Sequence, residues 1–147
     1  EAAGRLGAVI GGGTEEEKDA LARYGMHLGT AFQLIDDVLD YSGDFLKTGK
    51  NIGDDLAEGK PTLPLLYAMK HGTPDQAASI RQAIEHGGLS EFQSVLAAIK
   101  DTNALQYTRE AAQRETRMAN SAISCLADSN SKAALLQLAA FAVDRSF

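Results

Sequence analysis

Residues 32–40 read FQLIDDVLD and place three carboxylates among mostly apolar residues. On an α-helix, side chains at i and i+4 share one face, so Asp36 and Asp40 point the same way and Asp37 flanks them. Like charges at this spacing repel one another and need a counter-charge. Carboxylate oxygens suit a hard divalent cation, and Mg²⁺ takes one or two of them and fills its shell with water and phosphate oxygens. The stretch therefore predicts a site for a metal-bridged phosphate ester.

A polar segment follows, in which residues 49–64 read GKNIGDDLAEGKPTLP. Its lysines, Lys50 and Lys60, bracket the acidic pair Asp54 and Asp55. Lysine is a flexible point charge that binds phosphate, and glycine lets a backbone approach a ligand closely. A carboxylate helix followed by this loop predicts a diphosphate site with a metal on one side and ammonium groups on the other.

Together the two segments resemble the second aspartate-rich motif and downstream loop of trans-isoprenyl diphosphate synthases, above all the bacterial long-chain branch that includes octaprenyl diphosphate synthases. The resemblance implies an all-α fold, the carboxy-terminal half of an isoprenoid-synthase-type helical bundle, with residues 1–147 as a single helical region. That family carries a first aspartate-rich motif on a facing helix, and no counterpart precedes Phe32. We therefore expect the amino-terminal half to be missing and this chain alone to be inactive.

The resemblance assigns metal binding to the three aspartates. Asp36 is expected to bind Mg²⁺ directly, and Asp40 and Asp37 are expected to act partly through bound water. A solvated acidic face is the alternative that the residues themselves leave open. Asp54 is expected either to support the metal or to pair with a lysine, whereas Asp55 is expected to be solvated, as is the nearby Glu58.

The resemblance also assigns substrate contacts. Lys50 and Lys60 are expected to hold the allylic diphosphate, although surface lysines in a polar loop are the alternative. Gln33 is expected beside the allylic substrate, where its carbonyl dipole stabilises a cation and the transferred proton. Phe32 is expected in the wall of the prenyl pocket, with a place in the core as its alternative.

The implied activity is condensation of isopentenyl diphosphate with an allylic prenyl diphosphate to make a long-chain polyprenyl diphosphate, a quinone side-chain precursor, by a homodimer. Three alternatives remain open. One is a shorter-chain farnesyl or geranylgeranyl diphosphate synthase, and another is a terpene cyclase of the same helical class. The third is a non-catalytic helical subunit, against which the retained carboxylates and lysines argue.

Composition excludes other classes of protein. A net charge of −6 argues against nucleic-acid binding, and no apolar run is long enough for a transmembrane helix. The single cysteine, Cys125, excludes an internal disulfide framework, suits a reducing cytoplasm and is expected to fill the core. The three histidines lack zinc-site spacing, so we expect none of them to bind a metal.

Apolar periodicity predicts helices throughout and no strands. A capping box at Thr14 and Glu17 should begin a long helix that ends near residue 40, with Gly25 and Gly29 allowing a neighbouring helix to approach. The other segments are expected as follows: a helix end at 1–10, a loop with at most one helical turn at 42–59, and helices at 62–70, 75–86, 90–101, 102–126 and 132–145.

Overall fold

A computed structural model describes residues 1–42, 53–86 and 91–144. Within these ranges the regular structure is helical and contains no β-strand, which confirms the all-α prediction. None of the described helices is long and apolar enough to cross a lipid bilayer. The helices are α1 (Ala2–Ile10), α2 (Glu15–Tyr41), α3 (Asp54–Ala57), α4 (Leu63–His71), α5 (Pro74–His86), α6 (Phe92–Asp101), α7 (Ala104–Ala122) and α8 (Asn130–Val143).

Two capping boxes fix helix starts. The backbone N–H of Thr14 donates to Glu17 Oε2 at 2.8 Å, and the N–H of Glu17 donates to Thr14 Oγ1 at 3.3 Å. Thr73 and Gln76 repeat the arrangement at the start of α5, with distances of 2.9 and 3.2 Å. Each box satisfies donors that the first helical turn leaves unpaired. The predicted box at Thr14 is therefore confirmed.

Helix α7 ends four residues earlier than its apolar pattern suggests, at Ala122 rather than at residue 126. The ammonium of Lys132 donates to the carbonyl of Leu126 at 2.6 Å and so stabilises the turn that replaces the last helical residues. Ser129 then caps α8, because its Oγ accepts the N–H of Lys132 at 3.1 Å. Cys125 lies in the turn and is exposed, so the expectation that it fills the core is wrong.

The chain divides into two compact units, and the division falls inside α2 and inside α7. The first unit comprises residues 1–35 and 111–144. Its core is formed by Tyr24, Ala119, Ile123 and Ala139. The Tyr24 hydroxyl donates to the carbonyl of Leu135 at 2.7 Å, which fastens α8 to α2. The single region predicted for residues 1–147 stays a prediction.

Helix α1 packs closely on α2 in this first unit. A Cβ on Gly4 would overlap the carbonyl oxygen of Leu21, and a Cβ on Gly25 would lie 3.3 Å from the backbone nitrogen of Glu1. The predicted close approach at Gly25 is therefore present. Among the described residues nothing lies within 4 Å of the corresponding position at Gly29, so the same expectation stays a prediction there.

The second unit comprises Asp36–Glu110. Helices α4, α5 and α6 pack on one another, and α3 packs against α5. The largest side chains of its core are fully or almost fully buried: Leu56, Leu65, Ile80, Val95 and Ile99. Since Leu56 belongs to α3, its burial anchors a four-residue helix that is too short to be stable by itself. The core thereby holds the polar residues around Leu56 in place.

Gly4→Ala is predicted to destabilise the protein by about 1–3 kcal/mol, because the added methyl group overlaps the α2 backbone and forces α1 away. Gly7→Ala is the matched control on the same helix, where nothing lies within 4 Å and better helix propensity should add up to about 1 kcal/mol. Urea unfolding followed by circular dichroism measures both. Equal stability of the two variants would contradict this account of the α1–α2 contact.

Candidate functional site

The last turns of α2 carry the three aspartates predicted to bind metal. Asp37 and Asp40 are 6% and 5% exposed, and Asp36 is half-buried. A buried carboxylate is costly unless other groups compensate its charge. Each of the three interacts with other groups of the chain, so the alternative of a solvated acidic face does not describe Asp37 or Asp40.

Asp40 joins α2 to α3 through two hydrogen bonds. Its carboxylate Oδ2 accepts the backbone N–H of Asp55 at 3.3 Å, and its carbonyl oxygen accepts the N–H of Gly53 at 3.1 Å. The Asp40 side chain thus supplies an acceptor for a first-turn N–H of α3, as a capping residue does. Gly53 has a φ of +85°, and a Cβ there would overlap the Phe92 ring, so this position requires glycine.

Lys60 lies just beyond α3 and pairs with two carboxylates. Its Nζ is 3.0 Å from Asp55 Oδ1 and 2.6 Å from Glu58 Oε2. These hydrogen bonds, that of Glu58 above all, raise the pKa of Lys60, so its ammonium is charged at neutral pH. The side chain is 55% exposed and therefore accessible to a ligand.

Asp55 connects Asp40 to Lys60, and sequence reasoning missed this connection. Its backbone N–H donates to Asp40, and its carboxylate, 18% exposed, pairs with Lys60. The prediction that Asp55 is solvated is therefore wrong, whereas Glu58 is exposed as expected. The signal available in the sequence was the position of Asp54 and Asp55 between two lysines, either of which could pair with them. Asp40, Asp55 and Lys60 form one continuous chain of contacts from helix to lysine.

Two buried hydroxyls lie beside this chain of contacts. Tyr41 is 4% exposed, and burial, followed by the charges of Asp40, Asp55 and Asp37, raises the pKa of its hydroxyl well above the usual value. The nearby Thr62 side chain opposes part of this rise in the pKa of Tyr41. Neither hydroxyl completes a well-formed hydrogen bond in the part of the chain that the structure describes. Both are therefore polar groups buried at a cost.

Phe32 and Gln33 are exposed on α2, so Phe32 is not a core residue. Phe32 lines an apolar groove of about 440 Å³ in the first unit, together with Leu28, Gly29 and Leu135. Gln33 lies on the same helix, three residues before Asp36. The apolar lining is chemically suited to a hydrocarbon chain. The substrate roles of both residues stay predictions.

Two further predictions concern ligand groups. Lys50 lies outside the described residues. Among residues 1–42, 53–86 and 91–144, no three His, Cys, Asp or Glu side chains are arranged as a complete metal site. A metal held by these aspartates would take the rest of its shell from water or a phosphate group, as Mg²⁺ commonly does. His27 instead pairs with Glu115, with 2.7 Å between Nδ1 and Oε2.

Comparison with known proteins gives a consistent result. Residues 1–102 match the family model described as polyprenyl synthetase. Octaprenyl diphosphate synthase of Haemophilus influenzae is 53% identical over 148 residues, which cover 100% of this chain and 45% of that protein. The chain thus spans about 45% of the length of this relative.

Solved structures with a similar fold come from the same group of enzymes as these sequence matches. Polyprenyl synthase from Caulobacter crescentus, complexed with calcium and isoprenyl diphosphate, has a TM-score of 0.87 and 39% identity over 98% of this chain and 44% of its own. Geranylgeranyl pyrophosphate synthase from Corynebacterium glutamicum, complexed with isoprenyl diphosphate and magnesium, has a TM-score of 0.82 and 32% identity. The match covers 95% of this chain and 41% of that protein. Both identify the fold as that of the isoprenyl diphosphate synthases.

Asp40→Ala is predicted to loosen α3, because the Asp55 N–H loses its charged acceptor at a cost of about 1–3 kcal/mol. Asp40→Asn keeps an oxygen at that position and should lose less. Hydrogen exchange at the Asp55 amide measures the effect: exchange should be fastest in the alanine variant and intermediate in the asparagine variant. Unchanged exchange in Asp40→Ala would show that the contact does not hold the helix.

Tyr41→Phe is predicted to flatten the decline of stability in alkali. Tyrosine in the unfolded chain ionises near pH 10, whereas the raised pKa keeps Tyr41 neutral in the folded chain, so unfolding releases a proton above pH ~10 and the free energy of unfolding falls as pH rises. The remaining slope includes contributions from Tyr24, whose pKa burial also raises, and from Lys60, whose pKa its carboxylate partners raise.

Urea unfolding of the wild type and Tyr41→Phe between pH 8 and pH ~11 tests this slope. At neutral pH the phenylalanine variant should be at least as stable as the wild type, since the removed hydroxyl is buried and makes no well-formed hydrogen bond to the described residues. Tyr107→Phe, at a ring that is 36% exposed, is the control. A Tyr41→Phe variant with the wild-type alkaline slope would refute the prediction.

Proposed function

The chain belongs to the polyprenyl synthetase family, and we propose that the protein containing it is a prenyltransferase that condenses isopentenyl diphosphate with an allylic prenyl diphosphate. The observation that carries the proposal is the chain of contacts Asp40–Asp55–Lys60, which fastens a lysine to a carboxylate-bearing helix. The 53% identity to an octaprenyl enzyme supports a long-chain product, a quinone side-chain precursor, over a farnesyl or geranylgeranyl product.

We propose Mg²⁺ as the metal, bound directly by Asp36 and partly through water by Asp37 and Asp40. These three carboxylates suit Mg²⁺, because carboxylate oxygens are hard ligands and Mg²⁺ needs only one or two of them from the protein. Bound Mg²⁺ supplies positive charge that neutralises a diphosphate leaving group. The two solved relatives contain calcium or magnesium together with isoprenyl diphosphate, which supports a divalent cation at this motif.

Lys60 is proposed to bind the allylic diphosphate. Its ammonium is exposed and charged, and Asp55 and Glu58 hold it in place until phosphate oxygens replace them as partners. Negative charge grows on the bridging oxygen as the allylic carbon–oxygen bond breaks, and a fixed ammonium stabilises that charge more than it stabilises the bound substrate. Lys50 is proposed to share this task.

The hydrocarbon part of the substrate is assigned to the exposed residues of α2. The Gln33 carbonyl dipole is proposed to stabilise the allylic cation, which the double bond of isopentenyl diphosphate attacks to form the new carbon–carbon bond. A proton is then lost to the released diphosphate. Phe32 and the apolar groove it lines are proposed to receive the prenyl chain and to exclude water from the cation.

We also propose that the protein acts as a cytoplasmic homodimer. Large apolar side chains on α1 are exposed, with Ile10 at 86% and Leu6 at 58%, and Phe141 on α8 is exposed at 60%. Exposed apolar side chains of this size favour contact with further protein surface. The single cysteine is compatible with a reducing compartment.

In the intact protein, Asp36→Ala is predicted to lower kcat by about 10²–10³ while changing the KM for isopentenyl diphosphate little, because the lost interaction strengthens as the leaving group departs. Steady-state incorporation of radiolabelled isopentenyl diphosphate, with Mg²⁺ and farnesyl diphosphate, measures both constants. Asp75→Ala, at an exposed acidic residue of α5, is the matched control and should behave as wild type.

Two outcomes of this assay count against the proposal. If the wild-type intact protein forms no extractable prenyl product, the role of a non-catalytic subunit replaces the proposed activity. If Asp36→Ala keeps normal turnover and only the KM for isopentenyl diphosphate rises, the motif does not hold the allylic leaving group. Chromatography of the wild-type products measures their chain length and separates a long-chain enzyme from a shorter-chain one.

A further inference from the structure

A second groove, of about 430 Å³, lies in the second unit and contains none of the residues predicted for the catalytic site. Its apolar lining comes from Tyr41, Leu96, Ile99 and Leu105. Its polar lining comes from Ser42, Lys100, Asn103, Gln106 and Arg109. Two of these nine side chains are cations and none is a carboxylate, in a chain whose net charge is −6. The lining of the groove thus combines two cations with an apolar wall.

The two cations of this groove form no ion pair with residues 1–42, 53–86 or 91–144. Lys100 lies in the last turn of α6, and Arg109 lies in the second turn of α7. Both are exposed, and neither forms an ion pair or side-chain hydrogen bond with any described part of the chain. A lysine ammonium and an arginine guanidinium at one groove leave two positive charges available to a ligand.

The carboxylates next to Lys100 and Arg109 in the sequence accept hydrogen bonds from side-chain amides. Asp101 Oδ2 accepts a hydrogen bond from Gln76 Nε2 at 2.9 Å, and Glu110 Oε1 accepts one from Gln106 Nε2 at 2.9 Å. Asp101 and Glu110 keep their negative charges in these bonds. Among the described residues, however, neither carboxylate forms an ion pair with Lys100 or Arg109.

The start of α7 also lines the groove, through Asn103, Leu105 and Gln106. Asn103 precedes the helix with a φ of +54°. The unpaired N–H groups of a helix start carry about half a positive charge and attract anions. The helix start thus adds to the two cations.

We propose that this groove binds a phosphate ester that carries a hydrocarbon group, with the phosphate at Lys100, Arg109 and the start of α7, and the hydrocarbon against Leu96, Ile99 and Leu105. Arginine binds phosphate through paired N–H donors, and lysine adds a point charge. Two full charges and a helix start match a phosphate dianion better than a single carboxylate. A soluble ester and a phospholipid headgroup share this chemistry.

Isothermal titration of the intact protein tests the groove without the proposed catalytic metal. The titration contains a chelator, and the probes are octyl phosphate below its micellar concentration, inorganic phosphate, and vesicles of phosphatidic acid in phosphatidylcholine. The test variant is Lys100→Gln/Arg109→Gln. The control is Lys70→Gln/Arg81→Gln, which removes the same two charge types from exposed positions on α4 and α5. Circular dichroism melts confirm that both variants fold.

Octyl phosphate should bind more tightly than inorganic phosphate, and the test variant should lose at least about tenfold in affinity while the control loses little. The same loss with vesicles but not with octyl phosphate would assign the site to a lipid headgroup. Equal losses in test and control variants, or unchanged binding of every probe in the test variant, would overturn the proposal. None of these outcomes depends on prenyltransferase activity.

Discussion

The contact between the Asp40 carboxylate and the Asp55 N–H determines where the lysine-bearing segment lies. Helix α3 has only four residues, too few to be stable through its own hydrogen bonds. It is held on one side by buried Leu56 and on the other by Asp40. Lys60 follows this helix directly and pairs with Asp55. The position of the Lys60 ammonium thus depends on Asp40, which belongs to the aspartate motif whose negative charge the ammonium complements.

This arrangement costs stability. Asp37 and Asp40 are almost fully buried, and Asp55 lies close enough to act electrostatically on the same tyrosine hydroxyl. Mutual repulsion of such carboxylates opposes folding, and Tyr41 adds a buried hydroxyl that makes no well-formed hydrogen bond within the described part of the chain. A core built only for stability would place apolar side chains here. Carboxylates concentrated at this cost are typical of sites that bind a cation, which relieves the repulsion when it arrives.

Local signals in the sequence were sufficient to predict the helices and to identify the family. Periodicity and the Thr14 capping box predicted α2 because both act within a few residues. The early end of α7 was not predictable, since it depends on Lys132 reaching a carbonyl six residues earlier. Asp55 was misjudged for the same reason: its partner on α2 lies 15 residues away. The proposed roles of Asp36 and Lys60 rest on chemistry and resemblance, because a bound substrate is needed to place them.

The same electrostatic reasoning separates the two polar regions of the second unit. Around α3, carboxylates outnumber cations among the described residues, so that region needs added positive charge before it can hold a diphosphate. At the start of α7 the neighbouring carboxylates, Asp101 and Glu110, accept hydrogen bonds from neutral amides, and within the described residues Lys100 and Arg109 form no ion pair. The amides leave the carboxylates charged, but they also leave both cations available to a phosphate ester, which can therefore bind there without a metal. The difference lies in the partners of the carboxylates, which are a cation in one region and neutral amides in the other.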